Sequence, residues 1–269
     1  MLEITAISGE YPAENICRLI SAPSYAKKVV YALSSRGLLT LISSGELKGY
    51  RLALKCKRKV MEDNAARFGG LLEGSSETNR MKPEYERRLR LHSIAQVYTL
   101  MYNIGVCIFQ DTKFKIYMPA GAIASSPYAL SQTTIRNSVN YALSNQNGSS
   151  LSQSSTSPLI TIPCFYSSRE QKSDDNKSNA IRGSRAMGTL FTPTHVYAVY
   201  NTGHINIGWH EKIEQRYKAE VRNTILGRGL NQYSGINFLT HAYHPFYYIT
   251  NNDAHGEAQL KLLCNADRQ

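Results

Sequence analysis

Two groups of residues carry side chains able to act on a partner. The first runs from 24 to 59: Ser24, Tyr25, Lys27, Lys28, Tyr31 and Arg36, then Lys48, Arg51, Lys55, Lys57, Arg58 and Lys59. Hydroxyls and ammonium groups at helical spacing donate to phosphate oxygens, and a helix N-terminus adds a partial positive charge. Lys27, Lys28 and Tyr31 are expected nearest the bases of a double-stranded DNA, while Lys48, Arg51, Lys55, Lys57, Arg58 and Lys59 are expected on phosphates, where they bind without regard to sequence. A solvated helix face, with a hairpin packed on a protein partner, would use the same residue types. DNA is favoured because the basic residues gather on the two surfaces that must meet a groove and its rim.

The second group is the histidines and carboxylates further on. His241 and His244 are separated by two residues in THAYHPFYY. No cysteine or acid follows at a recognisable third-ligand spacing, so the aromatic crowding reads as a packed surface. Glu211, Glu214 and Glu220 alternate with Lys212, Arg216, Lys218 and Arg222. Pairs such as Glu214 with Lys218 predict an exposed helix rather than acid and base residues. No GxxxxGK[ST], GxSxG or GxGxxG occurs, so nucleotide-driven chemistry and a hydrolase elbow lack support. The expectation is a protein with no catalytic residue, no metal and no cofactor.

The elements that must position the basic set can be read from the punctuation. Ile16, Leu19 and Ile20 behind Pro12 predict a short helix over about 13 to 20. After Ser21, Ala22 and Pro23, Ser24 as N-cap opens a second helix, SYAKKVVYALSSRG, closed by Gly37. Tyr25, Val29, Ala32 and Leu33 form its expected buried stripe, and Lys27, Lys28, Tyr31, Ser35 and Arg36 face away. LLTLIS and GYRLAL make a hairpin around Gly45, with Tyr50, Leu52 and Leu54 alternating, and KCKRKVMEDNAARFGG adds a helix. Helix, tight turn, basic helix, hairpin, helix is the order of a winged helix-turn-helix, expected over residues 1–68.

Residues 69–82 lack periodicity and read as a linker to a second domain, 83–269. That domain opens on a long helix, PEYERRLRLHSIAQVYTLMYNIG, with Leu89, Ile94, Val97, Leu100 and Met101 apolar and Arg87, Arg88 and Arg90 on or near its polar side. Strand patterns follow in VCIFQ, KFKIYM, ITIPCFYSS, INFLT and PFYYIT, with a strand pair around Pro193 in TLFTPTHVYAVYNTG. SQTTIRNSVNYALSN, WHEKIEQRYKAEVRNTIL and AHGEAQLKLLC read as helices, NQNGSSLSQSSTSP and SREQKSDDNKSN as solvated loops. The alternation predicts an α/β domain with a mixed sheet, making the whole chain α+β.

Bulk properties agree with an anionic partner. Lys and Arg number 31 against 20 acids in 269 residues, a formal net charge of +11. Five scattered cysteines, Cys17, Cys56, Cys107, Cys164 and Cys264, show no paired spacing and suit a reducing cytoplasm. No run approaches the roughly 18 apolar residues of a membrane span, and MLEITAISGE lacks a basic segment ahead of an apolar core, so neither secretion nor membrane insertion is expected. The chain closes on LKLLCNADRQ without a clear terminating element, as a gene fragment would.

GYRLALKCKRKV after the basic helix, RLRLHSIAQV in the long helix and SRAMGTLFTPTHVYAVYN together resemble, in layout more than in letters, the replication-relaxation family of plasmid and integrative-element proteins. The resemblance implies an N-terminal winged helix, a C-terminal domain similar to restriction-type nucleases, and a role in conjugative or mobilisable DNA. Such a nuclease needs an Asp, then an acid one step from a Lys, to hold a divalent cation against a phosphodiester. The corresponding strands read RAMGTLF and VYAVYNTG, with Gly188 and Tyr200 or Asn201 where carboxylates belong. The second domain is therefore expected to be a degenerate nuclease-like scaffold or protein-contact module.

The function expected is a sequence-specific DNA-binding accessory of a mobile element, working with a relaxase or replication protein, with a homodimer giving enough base pairs for selectivity. A winged-helix transcriptional regulator is the first alternative. A metal-dependent nuclease drawing acids from Asp111, Asp174, Asp175 or Glu211 is the second.

Overall fold

The computed structural model describes residues 1–19, 22–72, 74, 77–78, 81–113, 116, 160, 162–172, 183–201, 210–228, 230, 233 and, as backbone, 236–241. The helix expected over SQTTIRNSVNYALSN, the loop NQNGSSLSQSSTSP, most of KFKIYM, and the strand and helix expected beyond 242 lie outside these residues.

The chain mixes helix and sheet, an α+β arrangement. It opens with α1 (Leu2–Ser8), which sequence periodicity did not reveal because Ile4, Thr5, Ala6, Ile7 and Ser8 are all buried. Thr5 and Ser8 satisfy their hydroxyls on the carbonyls of Met1 and Ile4, which lets small polar residues lie in an apolar environment. Gly9, at φ 96°, ends the helix. Pro12 then belongs to a short strand, β1 (Tyr11–Pro12), and leads into a 3-10 turn, Ala13–Asn15, so the helix expected from 13 begins only at α2 (Ile16–Leu19).

α3 (Pro23–Ser35) starts two residues before expectation. Ala22, not Ser24, is the N-cap, because Pro23 takes the first helical position, where its missing N–H is not needed. The hairpin is β2 (Leu39–Ser44) and β3 (Leu47–Leu52). Ser44 pairs with Leu47 across a two-residue turn in which Gly45, at φ 58°, supplies the left-handed conformation. β1 adds to β3 antiparallel, giving a three-stranded sheet of order β1-β3-β2. Leu54, expected to continue the strand, instead starts α4 (Leu54–Asp63) and is exposed. Asn64 separates it from α5 (Ala65–Leu72), so the connection expected from 69 begins as helix, with Leu72 buried.

The long helix, α6 (Tyr85–Asn103), is buried around most of its circumference. It packs on α1, β1 and β3, and Leu91, Ala95, Val97, Tyr98 and Met101 are buried along it. A second, mixed sheet of order β4-β5-β6-β7 comprises β4 (Cys164–Ser167), β5 (Gly188–Phe191), β6 (Val196–Asn201) and β7 (Ile236–His241). Its first three strands are antiparallel, and β7 returns parallel to β6 after the helix α7 (Glu211–Gly227), the crossover a parallel pair requires. Cys107 makes a single parallel bridge to Cys164 where VCIFQ was expected to form a strand.

One apolar cluster includes Ile4, Tyr11, Ala26, Val30, Leu39, Leu52, Phe68 and Met101 together with Phe165, Leu190 and Val199 of the second sheet. A second cluster, with Tyr166, Phe191, Ala198, Tyr217 and Val221, fills the other side of that sheet beneath α7. No helix among the described residues is long and apolar enough to cross a membrane.

Candidate nucleic-acid interface

The basic helix α3 buries Ala26 and Val30, with Val29 and Leu33 partly covered. Its apolar stripe is thus offset from the expected one, and Tyr25, expected inside, is 60% exposed. Ala26 supplies the reason: a side chain of one carbon lets the helix approach the sheet where a tyrosine could not. At 3.6 residues per turn, Ser24, Lys28, Tyr31 and Ser35 then fall in one row on the outward face, with Lys27 beside it. All five are exposed, Tyr31 to 77%. α3 contains no acidic residue, and its N-cap, Ala22, makes no side-chain cap to its first amides. Arg36 is exposed just beyond its end.

The hairpin contributes by its pleat. Across the β2–β3 ladder, Leu39 stands opposite Leu52, Leu41 opposite Tyr50 and Ser43 opposite Lys48, so these residues share one face. Leu39 and Leu52 are buried in the cluster that holds Ala26 and Val30 of α3. Further along the same face Leu41, Ser43 and Lys48 emerge exposed, with Glu46 at the tip.

Arg51 lies on the opposite face and does not reach solvent as expected. Its Nε donates to Glu10 at 2.7 Å and its Nη1 to the Met81 carbonyl at 2.7 Å. Lys57 is likewise engaged, paired with Glu77. Among the residues expected on phosphates, Lys48, Lys55, Arg58 and Lys59 remain exposed.

Glu10 is the centre of a buried charge cluster invisible to local sequence patterns. Arg88 of α6, 1% exposed, donates to it from Nε at 3.0 Å and from Nη2 at 2.7 Å, and His92 Nε2 lies 2.7 Å from the same oxygen. Burial pushes the Glu10 carboxyl up, but hydrogen bonds from His92, Arg88 and Arg51, with the Arg51 charge, outweigh it and bring it down to about 2. Arg88 was expected on the polar side of its helix; it goes inside because Glu10 and two carbonyls of the hairpin, Ile42 and Leu47, receive it. Gly49 makes room. A methyl there would stand 2.6 Å from His92 Nε2 and 2.7 Å from Glu10 Cγ. A glycine inside a strand is the sequence signal that could have exposed this close approach.

Two of the remaining candidates, Glu214 and Asp111, have structural partners. Glu214, expected on a solvated face, is 2% exposed and accepts from Ser184 Oγ at 2.6 Å, the Arg185 amide at 2.9 Å and Tyr200 OH at 2.7 Å. Burial and the Glu214 charge push the Tyr200 phenol well up, keeping it a neutral donor. Asp111 is gripped by Arg67 through Nε and Nη2, both at 2.8 Å, and by Asn64. Burial raises its carboxyl, and those partners hold it below the ordinary value. Glu211 is exposed at the start of α7. Asp174, Asp175 and His244 lie outside the described residues. Gly188 sits in β5, and Asn201 at the end of β6 donates to the Ser93 carbonyl at 3.1 Å and to Gln96 at 2.9 Å on α6. Among the described residues no three of His, Cys, Asp or Glu gather as metal ligands.

Comparison with protein-family models, with curated proteins and with solved structures returned no match to this chain.

Proposed function

We propose that the chain is a sequence-specific double-stranded DNA-binding accessory protein, in which α2, α3 and the β2–β3 hairpin act as a winged helix-turn-helix. The observation that carries this reading is the outward row of α3, Ser24, Lys28, Tyr31 and Ser35 with Lys27 beside it, on a helix free of acids and followed by a hairpin bearing exposed Lys48. A helix of this width fits the major groove, its exposed amides favour phosphate, and Lys27, Lys28 and Tyr31 are within side-chain reach of base edges. Lys48, Lys55, Arg58 and Lys59 would supply the salt-dependent part of the affinity.

From the layout resemblance to replication-relaxation proteins we infer that this activity serves the mobilisation or replication of a plasmid or integrative element in the cytoplasm, with a relaxase or replication protein as partner. The second sheet serves there as a scaffold. Its Gly188, Tyr200 and Asn201 are packing and hydrogen-bonding residues, and Glu214 and Asp111 are committed to Tyr200 and Arg67, which supports a non-catalytic role.

Hydroxyl-radical footprinting on DNA from the protein's own element tests the reading. Protection of about one helical turn near the origin of transfer or replication is expected; protection confined to a promoter would make the protein a transcriptional regulator. Cleavage of plasmid DNA in Mg²⁺ or Mn²⁺, abolished by a single carboxylate substitution, would contradict the scaffold role.

A further inference from the structure

We propose that Arg88 is a positioning residue for the wing: from α6 it sets where the β2–β3 hairpin, and with it Lys48, stands relative to α3. This rests on the DNA-binding reading above. One guanidinium bonds the carboxylate of Glu10 and, through Nη2, the carbonyls of Ile42 at 2.9 Å and Leu47 at 3.3 Å. Those carbonyls belong to the two different strands of the hairpin, on either side of its turn, and they flank the Ser43–Lys48 pair. Glu10 in turn holds Arg51, the next side chain on the same face of β3, and the missing side chain of Gly49 leaves the passage open.

A two-stranded ribbon held only by its own ladder twists and bends freely at its tip. Tying both strands to a buried helix removes that freedom before DNA arrives, and ordering completed in the free protein does not have to be purchased on binding. The helix that does this also carries the second sheet through Ser93, Gln96 and Asn201. The wing is thereby referenced to the second half of the chain as well as to α3.

The test is Arg88→Lys in the full chain, since the lysine side chain is one atom shorter, ends before the Nη2 position that meets the carboxylate and both carbonyls, and has no second nitrogen to keep the Nε contact with Glu10. With folding verified by circular dichroism, DNA affinity is expected to fall about five-fold, and the slope of log affinity against log salt to lose about one phosphate contact. In a Lys48→Ala background the same substitution should cost nothing further. An equal loss in both backgrounds, or an unchanged affinity in a folded variant, would overturn the proposal. If Arg88→Lys does not fold, His92→Gln, which loosens Glu10 alone, replaces it with the same expected pattern at smaller amplitude. Hydrogen exchange on the DNA-free protein separates the two claims. Faster exchange of the Ser44 and Gly49 amides, which face the Leu47 and Ile42 carbonyls across the ladder, with α3 unchanged supports the clasp even if wild type proves not to bind DNA, and equal exchange in hairpin and helix refutes it.

Discussion

Glu10 shows how a single carboxylate can outweigh its own desolvation. Its side chain is fully buried, and a lone buried charge would neutralise; two guanidinium groups and an imidazole keep it ionised instead. A carboxyl held near 2 in the folded state and near 4.5 in the unfolded chain contributes stability that is complete above about pH 4.5 and disappears as pH falls toward 2. Urea unfolding at pH 7 and pH 3 should register this as a loss on the order of 2 kcal/mol that Glu10→Gln removes. A Glu10→Gln variant with an unchanged pH dependence would show that other groups govern acid unfolding. At this scale the sequence was least legible. Arg51 and Lys57 are expected on phosphates and Arg88 and Glu214 on polar helix faces, yet each has a charged or hydrogen-bonding partner well away in sequence, and no local pattern encodes a partner contributed by another element.

Elements were read more faithfully than residues. The β2–β3 hairpin, the β5–β6 pair around Pro193, α6 and α7 were all legible because Gly, Pro and apolar periodicity are local signals. The phase of α3 was not, since the choice of buried stripe depended on whether Tyr25 or Ala26 faces the sheet, and that is decided by the space available there. α1 escaped because a helix buried on nearly every side has no amphipathic period. In the second sheet Gly188 repeats the lesson of Gly49. A methyl at Gly188 would overlap the Tyr166 carbonyl and approach Phe165 Cζ to 2.7 Å, so the β4–β5 pairing depends on its absence. Gly188→Ala should destabilise the protein by about 2 kcal/mol or more, because the obstructing atom is backbone and cannot turn aside. A thermal unfolding midpoint equal to that of wild type would contradict this.

At the scale of the whole molecule, α6 joins the two halves. It covers α1, β1 and β3 on one side and meets Phe165 through Tyr98, edge to face at 5.7 Å, on the other. Tyr11 reaches it as well, sharing a hydrogen bond with Thr99 at 3.1 Å. A fragment ending at residue 82 would lose Arg88, His92 and the cover over Tyr11, leaving Glu10 with Arg51 alone. Such a fragment is expected to be unfolded or only marginally stable in circular dichroism, and one ending at 103 to recover helical structure cooperatively. Equal stability of the two fragments would mean that α6 is not part of the first core.

Whether the outward face of α3 reads double-stranded DNA is decided by a mobility shift with the DNA that flanks the protein's own coding sequence, comparing wild type with the Lys27→Ala/Lys28→Ala double variant across a salt series. A specific shift is expected whose affinity falls steeply as salt rises and which the double substitution weakens about ten-fold or more, through the loss of two phosphate or base contacts. No shift at moderate salt, or a shift indifferent to those two lysines, would contradict it and make this face a surface for a protein partner.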